Sequence, residues 1–258
     1  MDNEQQDCHF PVVGCIPSDL SEWPGRLSSV VFVGGCNLRC SFCHSAELVN
    51  KTAAEINEEA IPHDLLFEEL SKNTWTNGIV ITGGEPTLRQ DIGKFCRKLR
   101  ELGKEIRVAT NGVNAGLLGA LVADKLVDSV ALDIKTSFEP EDGYDKLVGA
   151  PSSIRVSQCV RKSLTRILEH AKDVELRTTV IYHPDGPYRI HSKRTLKNIA
   201  HYLADIRATA PWVLQPFRPG DCLTESMNLQ PPTPLALLLE WLPDLKKIYP
   251  YCQVRGVF

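Results

Sequence analysis

The segment SSVVFVGGCNLRCSFCH, residues 28–44, joins a short β-branched run directly to a loop that carries cysteines. The run at 29–33 has the composition of a buried β-strand, and two glycines end it. Three thiols follow in C-x3-C-x2-C spacing, at Cys36, Cys40 and Cys43. Parallel α/β folds build their sites at the carboxyl ends of strands. The segment therefore predicts such a fold, with a chemical centre at this strand end.

Strands and helices alternate along the rest of the chain. Further runs that predict strands lie at 78–82, 105–109, 129–134, 174–182 and 212–216, and 252–257 is a candidate closing strand. Helical spacing of apolar residues lies between them, at 63–72, 88–102, 117–126, 157–171, 192–208 and 234–248. About six alternations predict parallel strands joined by right-handed crossovers. Two architectures fit this pattern: an open doubly wound sheet, and a full or partial barrel.

Three further polar motifs stand where predicted strands end. They are Gly83-Gly84-Glu85-Pro86, Thr110-Asn111-Gly112, and the pair Asp133 and Lys135. Glycines in a turn let a ligand approach the backbone closely, and i, i+2 spacing points two side chains to the same side of a strand. Because the carboxyl ends of parallel strands share one edge, the sequence predicts that these motifs meet the cysteines there. An ordinary turn or a rim salt bridge is the plain alternative for each motif.

The cysteine spacing indicates a soft metal centre, for which zinc and iron–sulfur clusters are the candidates. A structural zinc ion needs four ligands, and His44 directly follows Cys43, which makes it an awkward fourth. The chain has no second C-x2-C pair outside this loop. Three thiolates without a fourth fit a [4Fe–4S] cluster with one iron open to a substrate or cofactor. The plain alternative is three buried thiols in a tight loop.

Composition limits the class of protein. The 258 residues suffice for one domain with its own core, and we expect a lead-in at 1–28 and a single domain at 29–258. The net charge of −3 gives no broad basic surface for nucleic acid. Nine cysteines, an odd number, do not suggest a disulfide framework. The polar first ten residues and the short apolar runs predict no secretory signal and no membrane span, so we expect a cytoplasmic protein.

The loop GCNLRCSFCH resembles the signature of radical S-adenosylmethionine (SAM) enzymes. The segments GIVITGGEPTL, VATNG and DSVALDIKT follow in the order and spacing of glycyl-radical-enzyme activases. The resemblance covers most of the chain, and it is strongest to the activating proteins of anaerobic ribonucleoside-triphosphate reductases. It implies a single α/β domain built as a partial (β/α)6 barrel of the radical SAM type.

The resemblance also implies the residues of a site. The implied ligands of one [4Fe–4S] cluster are Cys36, Cys40 and Cys43, and the open iron would take the amino and carboxylate groups of SAM. The implied SAM-binding residues are Phe42, His44, Gly83, Gly84, Glu85, Asn111, Asp133 and Lys135. The last two are also the implied catalytic pair, since the Asp would lie near the backbone of the substrate.

Individual contacts follow from the same resemblance. The Gly83–Glu85 turn would hold the amino group of SAM, Phe42 would place its backbone beside the adenine, and Asn111 would reach the ribose. Activases often carry Asp just before T-N-G, where it helps to bind a monovalent cation. This chain has Ala109 at that position, which puts the cation site in doubt.

By this resemblance the chain is an oxidoreductase that cleaves SAM reductively and generates a glycyl radical on a partner enzyme, an anaerobic ribonucleotide reductase. A low-potential donor such as flavodoxin or ferredoxin would supply the electron. One alternative is a radical SAM enzyme that modifies a small molecule or another peptide. The other is a non-enzymatic iron–sulfur or zinc protein, which would leave the Gly-Gly-Glu-Pro and Asp-x-Lys motifs unexplained.

Overall fold

The computed structural model describes residues 8–255, and in that range it contains one eight-stranded sheet. The strands are β1 (Val12–Asp19), β2 (Ser28–Val33), β3 (Gly78–Gly83), β4 (Glu105–Thr110), β5 (Ser129–Asp133), β6 (Asp173–Val180), β7 (Trp212–Pro216) and β8 (Cys252–Val254). The six strands predicted between 29 and 216 all form, with ends within two residues of those expected. The candidate closing strand forms as β8, and its expected residues 256 and 257 lie outside the described range.

The order of strands in the sheet follows their order in the chain. Strands β2 to β8 are parallel, and β1 is antiparallel to β2. The order never reverses, so the sheet lacks the switch point of a doubly wound fold. Within residues 8–255 no pairing joins β1 to β8, and the sheet stays open. The prediction of a partial barrel is confirmed, and the doubly wound alternative is wrong.

Strand β1 lies in the lead-in, where the sequence predicted no strand. It pairs with β2 through contacts such as Ile16 opposite Val30, and its register shifts twice along its length. Gly14 and Pro17 interrupt the apolar–polar alternation that would reveal a strand. Proline is tolerated in edge strands, and β1 is one.

The helices are α1 (Ala46–Asn50), α2 (Ala53–Glu59), α3 (His63–Lys72), α4 (Ile92–Arg100), α5 (Ala115–Ala123), α6 (Tyr144–Leu147), α7 (Val156–His170), α8 (Lys193–Asp205), α9 (Glu225–Asn228) and α10 (Leu235–Ile248). All six predicted helices form, as α3, α4, α5, α7, α8 and α10. Helix α4 begins later than expected because Pro86–Leu88 first makes a 3₁₀ turn. In the described part of the chain, no helix is long and apolar enough to cross a membrane.

The inner face of the sheet is partly polar. Strands β4 and β6 place charged side chains inside. Arg107 Nη2 lies 3.2 Å from Glu175 Oε1, and Arg177 Nε donates to the same oxygen at 2.5 Å. The helices and the outer face of the sheet enclose the main apolar core, which includes Phe95 and Leu164. Polar residues therefore fill the interior of the partial barrel below its carboxyl edge.

Candidate functional site

A cavity of about 210 Å³ opens at the carboxyl edge of β2, β3, β4 and β5. All of the site residues expected from the sequence line it: Cys36, Cys40, Phe42, Cys43, His44, Gly83, Gly84, Glu85, Asn111, Asp133 and Lys135. These residues are spread over a hundred positions of sequence, from 36 to 135. The parallel strands bring them together because each motif follows the same end of its strand.

Hydrogen bonds within the cysteine loop fix its conformation. The N–H of Cys43 donates to the carbonyl of Cys40 at 3.1 Å, and the N–H of Leu38 points to Cys36 Sγ at 3.4 Å. Burial raises the pKa of Cys40 to about 11 and also raises the pKa of Cys36. Without a metal these two groups are therefore thiols at neutral pH, and metal binding must displace their protons.

The donor set of the loop fits an iron–sulfur cluster. Among the described residues, no three His, Cys, Asp or Glu side chains converge closely enough to hold a single metal ion. In a four-iron cluster each thiolate binds a different iron, so the ligands surround a cavity rather than meet at one point. Cys36, Cys40 and Cys43 line the same cavity in this way, and thiolates are the ligands that such clusters take.

Gly83 and Gly84 bring the loops after β2 and β3 into backbone contact. The Gly84 N–H donates to Val33 O and the Glu85 N–H to Gly35 O, each at 2.8 Å. A Cβ atom on Gly84 would lie 1.9 Å from the oxygen of Gly35, and Gly83 has a φ of +110°. The glycines are thus required for contact between two loops of the chain itself. The sequence suggested either the approach of a ligand or an ordinary turn as the reason for these glycines.

The carboxylate of Glu85 holds the Thr-Asn-Gly turn. Glu85 is 1% exposed, and its oxygens accept hydrogen bonds from Thr87 N at 2.9 Å, Thr87 Oγ1 at 2.5 Å, Thr110 Oγ1 at 2.7 Å and Asn111 N at 2.7 Å. Burial raises the pKa of Glu85, while these hydrogen bonds oppose the rise. Four protein donors occupy the carboxylate, so Glu85 lines the cavity but its side chain fixes a neighbouring loop.

Asp133 and Lys135 form an ion pair at the end of β5, with 2.7 Å between Oδ2 and Nζ. Lys135 Nζ also lies 5.9 Å from the centre of the Phe42 ring. Burial alone would lower the pKa of Lys135, but the Asp133 carboxylate raises it, and the pKa lies above its usual value. Lys135 therefore keeps a fixed positive charge in the cavity.

Two buried residues hold the backbone of Lys135, and the sequence did not reveal their role. The Lys135 N–H donates to the Tyr144 hydroxyl at 3.1 Å, and His191 Nε2 lies 2.7 Å from the Lys135 carbonyl. His191 Nδ1 accepts from the Ile181 N–H at 3.0 Å, so its Nε2 carries the proton and donates. Burial lowers the pKa of His191 to about 4, which keeps the ring neutral.

The side chains of Asn111 and His44 turn toward other parts of the chain. Asn111 Nδ2 donates to Asn37 Oδ1 at 2.9 Å, within the cysteine loop. His44 Nε2 lies 2.7 Å from the carbonyl of Arg218, and its ring stacks on Phe217 with 5.7 Å between centroids. Both residues still line the cavity, but these side chains join the loops that form its wall.

Arg177 and Glu22 also line the cavity. Arg177 Nη1 lies 3.2 Å from Glu22 Oε2, and its Nη2 donates to the Glu22 carbonyl at 2.9 Å. Glu22 was missed because it lies in the lead-in, and no motif marks it.

Comparison with known proteins identifies the family. Residues 30–197 match the radical SAM superfamily, and the chain belongs to that superfamily. It is 27% identical over 225 residues to MJ1227 of Methanocaldococcus jannaschii, whose name assigns it to the glycyl-radical enzyme activating enzymes, with 85% of each chain covered. It is also 27% identical over 216 residues to the pyruvate formate-lyase-activating enzyme of Clostridium pasteurianum, which covers 81% of this chain and 83% of that one.

Solved structures share the fold. Streptococcus suis SuiB bound to S-adenosylmethionine superposes with a TM-score of 0.62 at 15% identity, over 88% of this chain and 52% of that chain. TYW1 with a lysine-pyruvate adduct bound gives a TM-score of 0.56 at 13% identity, over 89% of this chain and 77% of that chain. The chain spans about half the length of SuiB. At these identities the likeness concerns the fold alone.

Proposed function

We propose that this protein generates a glycyl radical on a partner enzyme, and that the partner is an anaerobic ribonucleotide reductase. The observation that carries the proposal is the single cavity that all the expected cluster and SAM residues line. The similarity to activating enzymes over more than four-fifths of both chains supports the same role. The choice of ribonucleotide reductase rests on the motif resemblance in the sequence.

In this proposal Cys36, Cys40 and Cys43 hold one [4Fe–4S] cluster, and SAM binds beside it. When bound, the cluster and SAM supply the one-electron chemistry that removes a hydrogen atom from a glycine Cα. The contribution of the protein is to position the two groups and to exclude water. Cys40 and Phe42 are both buried, so they form the dry inner wall of the cavity.

Four residues orient SAM and the substrate in the proposal. The backbone of Gly83 and Gly84 lines the cavity, and the amino end of SAM can donate hydrogen bonds to its carbonyl groups. The Lys135 ammonium offers a charge-assisted hydrogen bond to the carboxylate of SAM. The Asp133 carboxylate, which pairs with Lys135, can accept a hydrogen bond from a backbone N–H of the substrate.

An experiment with a labelled peptide tests this function. A peptide copied from the glycyl loop of an anaerobic ribonucleotide reductase should raise the production of 5′-deoxyadenosine above the background without substrate. Deuterium placed on the central glycine Cα should appear in the 5′-deoxyadenosine. A matched peptide with Ala at that position should act poorly, because its methyl group crowds the approach to the Cα.

The same assay separates the proposal from its alternative. The intact reductase should develop a glycyl radical signal in electron paramagnetic resonance after anaerobic incubation with SAM and the reduced protein. If no glycine peptide or reductase stimulates turnover while a metabolite does, the activase function is wrong. The protein would then be a radical SAM enzyme that modifies a small molecule.

A further inference from the structure

A second cavity lies on the other side of the cysteine loop. This groove has a volume of about 730 Å³ and lies between the cysteine loop, helix α6 and the segment before α8. We call it the basic groove, and we define it by Arg39, Ser41, Lys146, Arg189 and Arg194. The candidate site has not used any of these residues.

The cysteine loop is a thin wall between the cavity and the basic groove. Leu38, Cys40 and Phe42 line the cavity, whereas Arg39 and Ser41 line the groove. Burial alternates in the same way, since Arg39 is exposed while Cys40 and Phe42 are buried. A molecule in the groove is therefore separated from Cys40 by a single layer of backbone.

The turn after α6 extends this close contact. The Arg39 N–H donates to the Val148 carbonyl at 2.9 Å, and Cys40 Sγ lies 3.8 Å from the same oxygen. A Cβ atom on Gly149 would lie 2.6 Å from the oxygen of Arg39, so the two segments meet backbone to backbone. Lys146 stands on the exposed side of this turn. The surface of the groove thus connects to Cys40 through one hydrogen-bonded turn.

The groove carries an excess of positive charge. Its lining has four cations, which are Arg39, Lys146, Arg189 and Arg194, and two carboxylates, Glu141 and Asp142. Arg194 pairs with both carboxylates, at 3.0 and 3.5 Å. No carboxylate within residues 8–255 forms a salt bridge with any of the other three cations. This local excess contrasts with the net charge of −3 for the whole chain.

We propose that the basic groove docks the acidic one-electron donor protein that reduces the cluster. The inference rests on the proposed function, because it requires a cluster held by the three loop cysteines. One electron leaves the reduced flavin or iron–sulfur centre of the donor, which is oxidised by one electron, and the cluster is reduced by one electron. No bond breaks, and no proton moves. Complementary charge guides such an encounter and fixes its orientation.

A charge reversal in the groove tests the proposal. The double variant Lys146→Glu, Arg189→Glu changes the surface without touching the cysteine loop, whereas Arg39 donates to the Cys36 carbonyl and is left intact. Stopped-flow absorbance gives the rate constant for cluster reduction by flavodoxin hydroquinone and by reduced ferredoxin. Interferometry gives the affinity of each donor for the metal-free and the reconstituted protein.

At low ionic strength the double variant should be reduced by its donor about tenfold or more slowly, and should bind it more weakly. Both differences should shrink as salt is added. Reduction by dithionite, a small molecule, should keep its wild-type rate. The variant should also retain its iron content, which shows that the loop is intact.

Lys162→Glu is the matched control. Lys162 is exposed on α7 and lines a different groove, between α5 and α7. An equal loss in this control overturns the proposal, as does an unchanged donor rate in the double variant. A wild-type cluster that neither donor class reduces also contradicts it.

Two further outcomes separate a failure of the docking proposal from a failure of the proposed function. If the double variant keeps its donor rate but no longer activates the reductase under dithionite, the groove belongs to the glycyl radical enzyme, and the proposal is wrong. If dithionite-reduced wild-type protein does not cleave SAM, the proposed function itself fails, whatever the donor binds.

Discussion

Cys40 is the most buried of the three loop thiols, with 8% of its surface exposed. Its loss should remove one corner of the cluster and leave a buried gap that no neighbouring ligand fills. We expect Cys40→Ala to abolish stable binding of four irons after anaerobic reconstitution. Iron and sulfide analysis, with the visible spectrum of the cluster, measures this. Cys159→Ala on α7 is the control and should bind iron normally; four irons retained in Cys40→Ala would contradict the assignment.

Lys135 supplies the fixed positive charge of the cavity. Lys135→Ala should weaken SAM binding by about ten- to hundred-fold, which corresponds to about 1.5–3 kcal/mol for a hydrogen bond to a charged group. Anaerobic titration calorimetry on the reconstituted protein measures the dissociation constant. Lys104→Ala is a suitable control, because that lysine bonds to Asn73 and Thr76, outside the cavity. If Lys135→Ala leaves the dissociation constant of SAM unchanged, the Asp133–Lys135 pair is a structural salt bridge.

His191 makes stability depend on pH. Its pKa is about 4 in the folded protein because burial disfavours the charged ring, whereas an unfolded histidine has a pKa of about 6.5. Between these values the unfolded state binds more protons, so the free energy of unfolding should fall as pH drops from about 6.5 to about 4. The loss should be on the order of 3 kcal/mol.

Urea unfolding of the metal-free protein at several pH values tests this, with His191→Gln for comparison. Gln does not titrate, so the difference between the two proteins isolates the contribution of His191. If the free energy of unfolding changes with pH in the same way in both proteins across this range, His191 does not carry the effect.

At the scale of single residues, the sequence indicated which positions meet but not what each side chain does there. Motif spacing placed Glu85 in the cavity lining, as the structure has it. It could not reveal that four hydrogen bonds occupy the carboxylate, since Thr110 and Asn111 come from the next strand. His191 was missed for the same reason, because its partner Lys135 is 56 residues away. Such contacts depend on tertiary packing.

The loop that follows β3 is tightly constrained at Gly84. Gly84→Ala would place a methyl group 1.9 Å from the oxygen of Gly35, and that oxygen belongs to the backbone, so it cannot move aside as a flexible side chain could. The two loops must separate, which should lower the free energy of unfolding by about 1–3 kcal/mol. It should also lower the iron content of the reconstituted protein. Thermal unfolding and iron analysis measure the two effects. Gly116→Ala in α5 is the control, since its Cβ would make only an ordinary contact of 4.0 Å with Asn114 Oδ1 and alanine favours a helix; equal loss in both variants would refute the contact argument.

The helices that sequence reasoning missed differ in the signal that they carried. Helix α2 carried a readable signal, because Thr52 and Glu55 form a capping box with both hydrogen bonds present. Helices α6 and α9 have four residues each, too few to show a period. The charged residues of β4 and β6 alternate with apolar ones, and this alternation places the charges on one face of the sheet.

For the whole molecule, the alternation of strands and helices was enough to predict a parallel sheet. It did not choose between a doubly wound sheet and a barrel, because both obey the same local rules. The order of strands settles that choice, and it depends on how the chain packs as a whole. The lead-in illustrates the same limit, since Glu22 reaches the cavity only after the barrel has formed.

Trp23, from the same lead-in, packs against the inner face of the sheet. It is 5% exposed and forms a small core with Val30 of β2 and Val80 of β3, separate from the main core. The guanidinium groups of Arg26 and Arg107 lie 4.6 and 5.7 Å from its ring. The indole therefore covers apolar surface on the inner face and shields the buried charges of β4 and β6.

Trp23→Ala should lower the free energy of unfolding by about 3–5 kcal/mol, because it opens a large cavity and exposes Arg107 to rearrangement. Trp75→Ala is the matched control, since Trp75 is 84% exposed and should change stability by less than about 0.5 kcal/mol. Urea unfolding of both variants measures the difference. If the two variants are equally stable, the packing of Trp23 does not contribute to the stability of the fold. If Trp23→Ala alone is destabilised, the lead-in is part of the folded domain, and the domain begins before residue 29.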